Sequence, residues 1–415
     1  MNFDITTDVA IIGAGPAGSS TSIFLSKAGI SHVIFDKELF PRDKICGDAL
    51  SGKSVRILKN MEMNIISEME KDTSHFLDSW GVRFVAPNGK GVDIPFTADI
   101  HKEDHAPGFI VRRYYFDNFL INHIDDQYGD KRLGYKIKNV DFDENGAIIQ
   151  YEYNGKEGFC RAKVVIGAGG DRSIIAKKIA GHKIEAKHYI GGVRAYYKNV
   201  SGFYGQNFIE LHFIKEALPG YLWIFPMAGN EANVGLGMLK KDMQNKNVNL
   251  KKILKKALAE NETIKSRFEN AELIDDIKGW GLPLGSKKRD LAGERYLLVG
   301  DAASLIDPFS GEGIGNALFS GKVAAGVVQE ALRENDFSYN FLSRYNNRIY
   351  NELAKELNLS FRLQQLVRFP WLFNFLMDRL QTNDALRDMV SHMFTDLDMR
   401  AKLKSPSFYM KLLFS

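Results

Sequence analysis

The chain has 415 residues, too many for one simple core, and suits two associated domains plus a tail. Its 55 Lys and Arg against 51 Asp and Glu leave a net charge of +4, too small an excess to imply nucleic-acid binding. Two cysteines, Cys46 and Cys160, exclude a disulfide framework and point to a reducing, cytoplasmic setting, and no run reaches the roughly 18 apolar residues that span a bilayer.

In chain order, the first element is the apolar strand Asp8-Val9-Ala10-Ile11-Ile12. Asp4 and Asp8 precede its apolar run with no basic residue, so it does not read as a secretory leader. Gly13-Ala14-Gly15-Pro16-Ala17-Gly18 follows at once and opens a helix ending near Lys27-Ala28-Gly29. Gly13 permits a tight turn, Gly15 lets backbone approach a pyrophosphate, Gly18 lets helix and strand pack closely, and the helix N-terminus offers free N–H groups to the anion. A second strand, residues 32–36, ends in Asp36, about twenty residues past the glycines, where a carboxylate meets the adenosine ribose. This is a dinucleotide site that does not by itself separate NAD from FAD.

Further along, Val82 to Phe96 reads as a hairpin turning at Asn88-Gly89, and Arg113-Tyr114-Tyr115-Phe116-Asp117 starts a helix. Segments around 135–140, 147–153 and 159–165, with turns at Asn145-Gly146 and Asn154-Gly155, form a three-stranded antiparallel meander. Its last strand leads into Gly167-Ala168-Gly169-Gly170-Asp171-Arg172-Ser173. Alternation over 192–197 and 208–213 predicts a largely antiparallel second sheet covered on one face, interrupted by helical text from Leu250 to Phe268. Within it, Tyr221, Trp223 and Phe225 alternate, so their rings share one face ahead of Pro226 and of Gly235-Leu236-Gly237.

Residues 295–299 read as another buried strand ending in Gly300-Asp301. A carboxylate there binds ribityl hydroxyls, which nicotinamide cofactors lack, and this selects FAD. The run from Pro308 to Ile314 enters a helix through about Arg333, whose positive N-terminal end at Gly313 and Ile314 suits the N1 and O2 edge of a reduced flavin. Residues 336–415 read as helices in which Phe361, Phe369, Trp371, Phe373 and Phe375 interleave with Arg362, Arg368 and Arg379. They pack as a cap over an apolar tunnel, the alternative being an interfacial helix on anionic lipid.

With these segments the chain resembles the flavoproteins built like p-hydroxybenzoate hydroxylase, and within them the geranylgeranyl reductases, over nearly all of residues 5–330. Residues 113–117 look like that family's Arg-x-x-Phe-Asp segment, whose arginine contacts FAD. Residues 167–170 are similar to its Gly-Ala-Asp-Gly segment, with Gly169 in place of the aspartate. Pro41-Arg42-Asp43-Lys44-Ile45-Cys46-Gly47-Asp48 is similar to Pro-x-x-Lys-x-Cys-Gly-Gly, with Asp48 where glycine is common. The Tyr-x-Trp-x-Phe-Pro run at 221–226 with its trailing Gly-x-Gly also fits the reductase branch, although a halogenase motif, Trp-x-Trp-x-Ile-Pro, is close to it.

The resemblance implies an α/β fold, α+β overall: an FAD-binding Rossmann-like domain with a β-meander insertion (1–80, 105–183 and 285–335), an antiparallel substrate-binding sheet (82–104 and 184–284), and a helical tail (336–415). FAD contacts are expected from Gly13, Gly15, Ala17, Gly18, Asp36, Lys37, Cys46, Gly47, Arg113, Val140, Asp301, Gly313 and Ile314. Tyr221, Trp223, Phe225 and Pro226 are expected to line the substrate. Cys46, whose pKa a neighbouring cation such as Lys44 is expected to lower, is a candidate gate or acid, and Tyr221 and Trp223 complete the catalytic set. No metal is expected.

The implied reaction is reduction of a polyprenyl carbon–carbon double bond by reduced FAD in a cytoplasmic or membrane-peripheral protein. The electron donor is open between transient NADPH, a ferredoxin and another donor, since no second glycine fingerprint occurs. The rival readings are a flavin monooxygenase or halogenase on an aromatic or polyketide substrate, and a non-catalytic flavin or lipid binder.

Overall fold

The computed structural model describes residues 2–97, 102–383 and 387. Its first sheet is built around Ile5–Ile12, which pairs in parallel with His32–Asp36 on one side and with Lys156–Gly167 on the other. The path runs Ala292–Gly293, Tyr296–Leu298, Lys156–Gly167, Ile5–Ile12, His32–Asp36, Gly129–Leu133. The central strands are near-continuous Val, Ile and Ala, the composition of strands buried on both faces. The meander is Lys136–Asp143, Gly146–Tyr153 and the first part of Lys156–Gly167, so one long strand carries both the insertion and the parallel sheet.

Two distant helices pack on each other beside this sheet, Pro16–Lys27 and Ile314–Glu334. Their approach is close because Gly321 lacks a side chain. A methyl group there would come within 2.5 Å of the Ala17 carbonyl oxygen, and Ser20 Oγ donates to the Leu318 carbonyl at 2.7 Å. Sequence positions 300 residues apart therefore meet at one place.

The second sheet has the path Glu272–Leu273, Tyr189–Lys198, Glu231–Leu239, Tyr221–Met227, Ile209–His212, Gly81–Val85, Gly91–Pro95, with Lys278–Pro283 also on Tyr189–Lys198. Every pairing is antiparallel except Ile209–His212 with Gly81–Val85, which brings the hairpin at 82–96 into this sheet in parallel. Leu222, Ile224, Val234 and Leu236 are buried on one face against the amphipathic helix Leu250–Glu260. Tyr221, Trp223 and Phe225 cluster on the other face with Phe84, Phe213, Phe309 and Phe373. The expected helix over 250–268 ends at Glu260, before Asn261, and only Lys265–Phe268 continues as a 3₁₀ turn.

After Glu334 the chain forms Tyr339–Leu342, Arg344–Leu366 and Pro370–Thr382. Phe373 and Met377 are buried in the cluster that contains the aromatic wall, with the Phe373 ring centroid 4.5 Å from that of Phe213. Phe369 and Trp371, from the same aromatic series, are 54% and 71% exposed. The tail thus has a packing side and a solvent side, and its end from 388 lies outside the described residues.

Candidate cofactor and substrate site

The glycine turn is shaped by contact. Gly13 has φ +109°, and a methyl group on it would fall 2.4 Å from the Ala168 carbonyl oxygen, while one on Gly18 would fall 1.8 Å from the Gly13 oxygen. Gly15 is different: a methyl group there would meet only Nη2 of Arg42 and Arg113, at 3.8 and 3.9 Å. Two guanidinium groups therefore converge where a pyrophosphate would lie. Asp36 stands beside the turn, one oxygen accepting the Ala14 N–H at 2.8 Å and the other the Glu38 N–H at 2.9 Å.

Both arginines are held by one carboxylate. Arg113 donates to Asp117 through Nε at 2.5 Å and Nη2 at 2.8 Å, and Arg42 pairs with it at 2.7 Å. Arg113 is 7% exposed and Asp117 fully buried, so Arg113 is not a solvated helix-start cation. Burial pushes the Asp117 carboxyl up, but the two guanidinium groups outweigh it and hold the group ionised, below the usual carboxylate range.

The C-terminal part of the site meets this turn. Gly300 has φ +59°, a methyl group on it would stand 2.9 Å from Ala17 Cβ, and its N–H is taken by Ser320 Oγ at 2.9 Å. The next residue, Asp301, is pushed up by burial, with Lys44 and Arg113 opposing. Oδ1 of Asp301 lies 3.7 Å from where a side chain on Gly313 would begin, so carboxylate and helix start border one space. Glu312 takes the Gly315 N–H at 2.6 Å, whereas the N–H groups of Gly313 and Ile314 have no acceptor among the described residues. Glycine cradle, paired arginines, half-buried acid and unsatisfied helix start together fit FAD.

A family profile described as "FAD binding domain" matches residues 6–321. The chain belongs to that family of FAD-dependent oxidoreductases. This flavoprotein is 31% identical over 369 residues to the digeranylgeranylglycerophospholipid reductase of Methanococcus aeolicus, covering 87% of this chain and 88% of that protein. Among solved structures, a geranylgeranyl bacteriochlorophyll reductase-like protein from Thermoplasma acidophilum superposes with a TM-score of 0.80 over 96% of this chain and 99% of its own, at 22% identity. A flavin-dependent brominase superposes at 0.76, covering 94% and 93%, at 23% identity. These two likenesses show a shared fold.

In the second sheet of the flavoprotein, Trp223 lies flat on the neighbouring strand. A methyl group on Gly235 would come within 2.0 Å of its Cζ2, and one on Gly237 would stand 3.9 Å from its Cζ3, so the trailing Gly-x-Gly is the floor under the indole. Tyr221 and Phe225 flank it with ring centroids 6.4 and 6.3 Å away. The Tyr221 hydroxyl donates to the Ser310 carbonyl in the loop before Gly313, and Gly47 abuts Phe225, its absent methyl 3.1 Å from Cε2. The structure thus brings together the Cys46 loop, the aromatic row and the 308–314 loop. Pro226 is buried next in the same strand, opposite Ala232.

One expectation comes out differently. Burial pushes the Cys46 thiol up from its ordinary value, outweighing the opposing Arg113 and Lys44 charges, so the expected lowering is wrong. Lys44 itself is pushed down to about 8 by burial and by Arg113, and its ammonium rests 3.7 Å above the Trp280 ring. Lys37 is mostly exposed and pairs with Glu38 at 3.2 Å, and Val140 is 1% exposed in the meander core. Two residues past Gly169, Asp171 accepts the Tyr189 hydroxyl at 2.8 Å.

Sequence reasoning passed over Arg42, Tyr196 and Asn233, and noted Asp48 only as a departure from glycine. The structure sets Arg42 beside Arg113 on Asp117 and joins Asp48 to Tyr196 and Asn233 of the second sheet. Asp48 has φ +68° and no exposed surface; burial pushes its carboxyl up to about 6 against the Tyr196, Arg194 and Asn233 contacts. An acid where a turn favours glycine was the available signal. No helix among the described residues is long and apolar enough to cross a membrane.

Proposed function

We propose that the protein reduces carbon–carbon double bonds of a polyprenyl lipid. The carrying observation is the row Tyr221, Trp223, Phe225, set in an apolar cluster and bordered by the Cys46 loop and the Asp301–Gly313 space. A wall of rings suits a long chain of branched alkene units and keeps water from the reacting bond. The reductase-named relative supports this reading.

FAD, when bound and reduced, would supply hydride. Arg42, Arg113 and Asp36 would hold the dinucleotide, Asp301 its ribityl chain, and the Gly313 and Ile314 N–H groups would be available to the flavin. Tyr221, Trp223 and Phe225 lay the prenyl chain along the site. An isolated alkene needs a proton on the carbon that does not receive hydride, and the Cys46 thiol, kept protonated by burial, provides it. The guanidinium of Arg113 lies within reach of the sulfur and offsets the charge of the thiolate, which solvent then reprotonates. Reducing equivalents come from NADPH bound transiently or from a ferredoxin-type donor. The lipid enters past Pro370–Thr382, where the exposed Trp371 and, just before the helix, the exposed Phe369 rest on the membrane surface.

Reduced protein incubated with geranylgeranyl lipids and a host lipid extract, with and without oxygen, tests the proposal by high-resolution mass spectrometry. A gain of two hydrogens without oxygen is the expected product. An oxygen-dependent gain of one oxygen, or halogenation, would replace it with the monooxygenase or halogenase chemistry for which the brominase-like fold is equally suited.

A further inference from the structure

Asp48 combines two unfavourable features. A non-glycine residue with left-handed backbone is strained, and a fully buried carboxylate loses its hydration. Glycine would make the same turn without either. The side chain is therefore retained for what it touches.

Its Oδ2 accepts the Tyr196 hydroxyl at 2.5 Å and the Asn233 Nδ2 at 2.8 Å. The same Nδ2 donates to the Cys46 carbonyl at 2.8 Å, and Asn233 Oδ1 accepts the Trp223 indole N–H at 2.8 Å. On the other side, Oδ1 lies 3.4 Å from the backbone N–H of Arg113, the first residue of a helix that has no side-chain N-cap of its own. One carboxylate thus ties the Cys46 loop, the Arg113 helix and the aromatic wall.

The amide of Asn233 can face two ways. With Asp48 ionised and the Cys46 carbonyl beside it, both acceptors demand the NH₂ end, which leaves the oxygen for Trp223. We infer that Asp48 is a positioning residue that fixes the orientation of the Asn233 amide, and through it the attitude of the Trp223 ring and the Cys46 loop toward the reacting bond. This rests on the proposed role of the wall and adds the residue that sets it.

The carboxylate is faced by the Arg194 and Arg113 guanidinium groups, the Tyr196 hydroxyl and the Cys46 thiol. Behind them Arg194 pairs with Asp43 at 2.9 Å, and Arg112, over the Tyr196 ring at 4.2 Å, pairs with Glu231. With the carboxyl raised to about 6, protonation over pH 5–7.5 removes one of the two demands on the Asn233 amide, the Cys46 carbonyl keeping the other, and the indole bonded to that amide reports the change.

The test uses the full FAD-loaded chain labelled with ¹⁵N-tryptophan, which gives four indole signals, that of Trp223 assigned with Trp223→Phe. Its N–H signal is expected to move with a midpoint near pH 6 in the wild type and to stay flat in Asp48→Asn. Asp48→Gly, which suits the backbone, guards against misfolding and is expected to be flat as well. A wild-type Trp223 signal that does not titrate, or that titrates alike in the variants, overturns the inference. With a prenyl substrate, Asp48→Gly should lower kcat at least tenfold; an unchanged kcat also overturns the inference. Failure of the wild type to reduce any prenyl lipid counts against the proposed reaction alone, because the indole titration needs no substrate.

Discussion

The indole of Trp223 occupies the space that a side chain on Gly235 would need, with Cζ2 2.0 Å from the position of the missing methyl group. Two residues on adjacent strands, directly opposite each other in the ladder, therefore form a single unit, one supplying the ring and the other its absence.

Gly235→Ala should consequently displace the indole. Overpacking of this kind costs about 1–3 kcal/mol. The expected result is a lowered melting temperature together with a fall in turnover that exceeds any loss of bound flavin. Equal melting and turnover in Gly235→Ala and wild type would show that the ring has another resting place.

Asp117 is the sole carboxylate holding Arg42 and Arg113 in the contacts described above, and it is fully buried. Removing one partner of such a cluster leaves uncompensated charge and costs about 3–5 kcal/mol. Asp117→Ala should lose FAD on gel filtration and unfold at lower temperature, whereas Lys37→Ala, changing an exposed side chain, should retain the wild-type flavin-to-protein absorbance ratio.

Asp301→Ala should retain folding but weaken FAD, raising its dissociation constant tenfold or more, because the carboxylate borders the space at Gly313 without being part of the packed core. Flavin titration by fluorescence quenching measures this. Undiminished affinity would move the ribityl site elsewhere.

Cys46 gives the pH-dependent expectation. Its thiol is pushed up from its ordinary range by burial, so the protonated form dominates at pH 7.5 and the thiolate forms only at higher pH. Iodoacetamide should modify Cys46 at least tenfold more slowly than a free thiol at pH 7.5, the rate climbing steeply at higher pH. Cys160, buried and pushed up to about 12, is the unreactive control. Rapid alkylation of Cys46 at neutral pH would contradict the proton-donor assignment, and Cys46→Ser should leave FAD bound while slowing turnover.

Trp371 shares a helix with the buried Phe373 and Met377, and Phe369 caps its start. Replacing the exposed pair with Ser should halve or abolish co-sedimentation with anionic liposomes while leaving the melting temperature within 1–2 °C of wild type, since exposed substitutions typically change stability by about 0.5 kcal/mol or less. Unchanged pelleting would assign these rings no membrane role.

Much of this architecture was legible before any coordinates. The glycine turn, the acid at Asp36, the strand before Asp301 and the alternating aromatic row each follow local rules of spacing and backbone freedom, and such rules are written in short windows. The Gly-x-Gly after the row was visible as a pattern, but its purpose was not, because the contact with Trp223 runs across a strand pair. The thiol of Cys46 shows the limit most plainly. Lys44 two residues away suggested a lowered pKa, yet desolvation depends on everything that closes around the sulfur, and closure outweighed the neighbouring charge.

By itself, the sequence determined the dinucleotide fingerprint, the acid after the 295–299 strand and the alternating aromatic row, since these depend on residue types at fixed offsets. Only the tertiary structure decided that Gly300 meets Ala17, that Asp117 serves two arginines, and that Asp48 joins the Cys46 loop to Trp223 through Asn233. Burial and hydrogen-bond partnership are properties of segments brought together from far apart in the chain, and no offset along it encodes them.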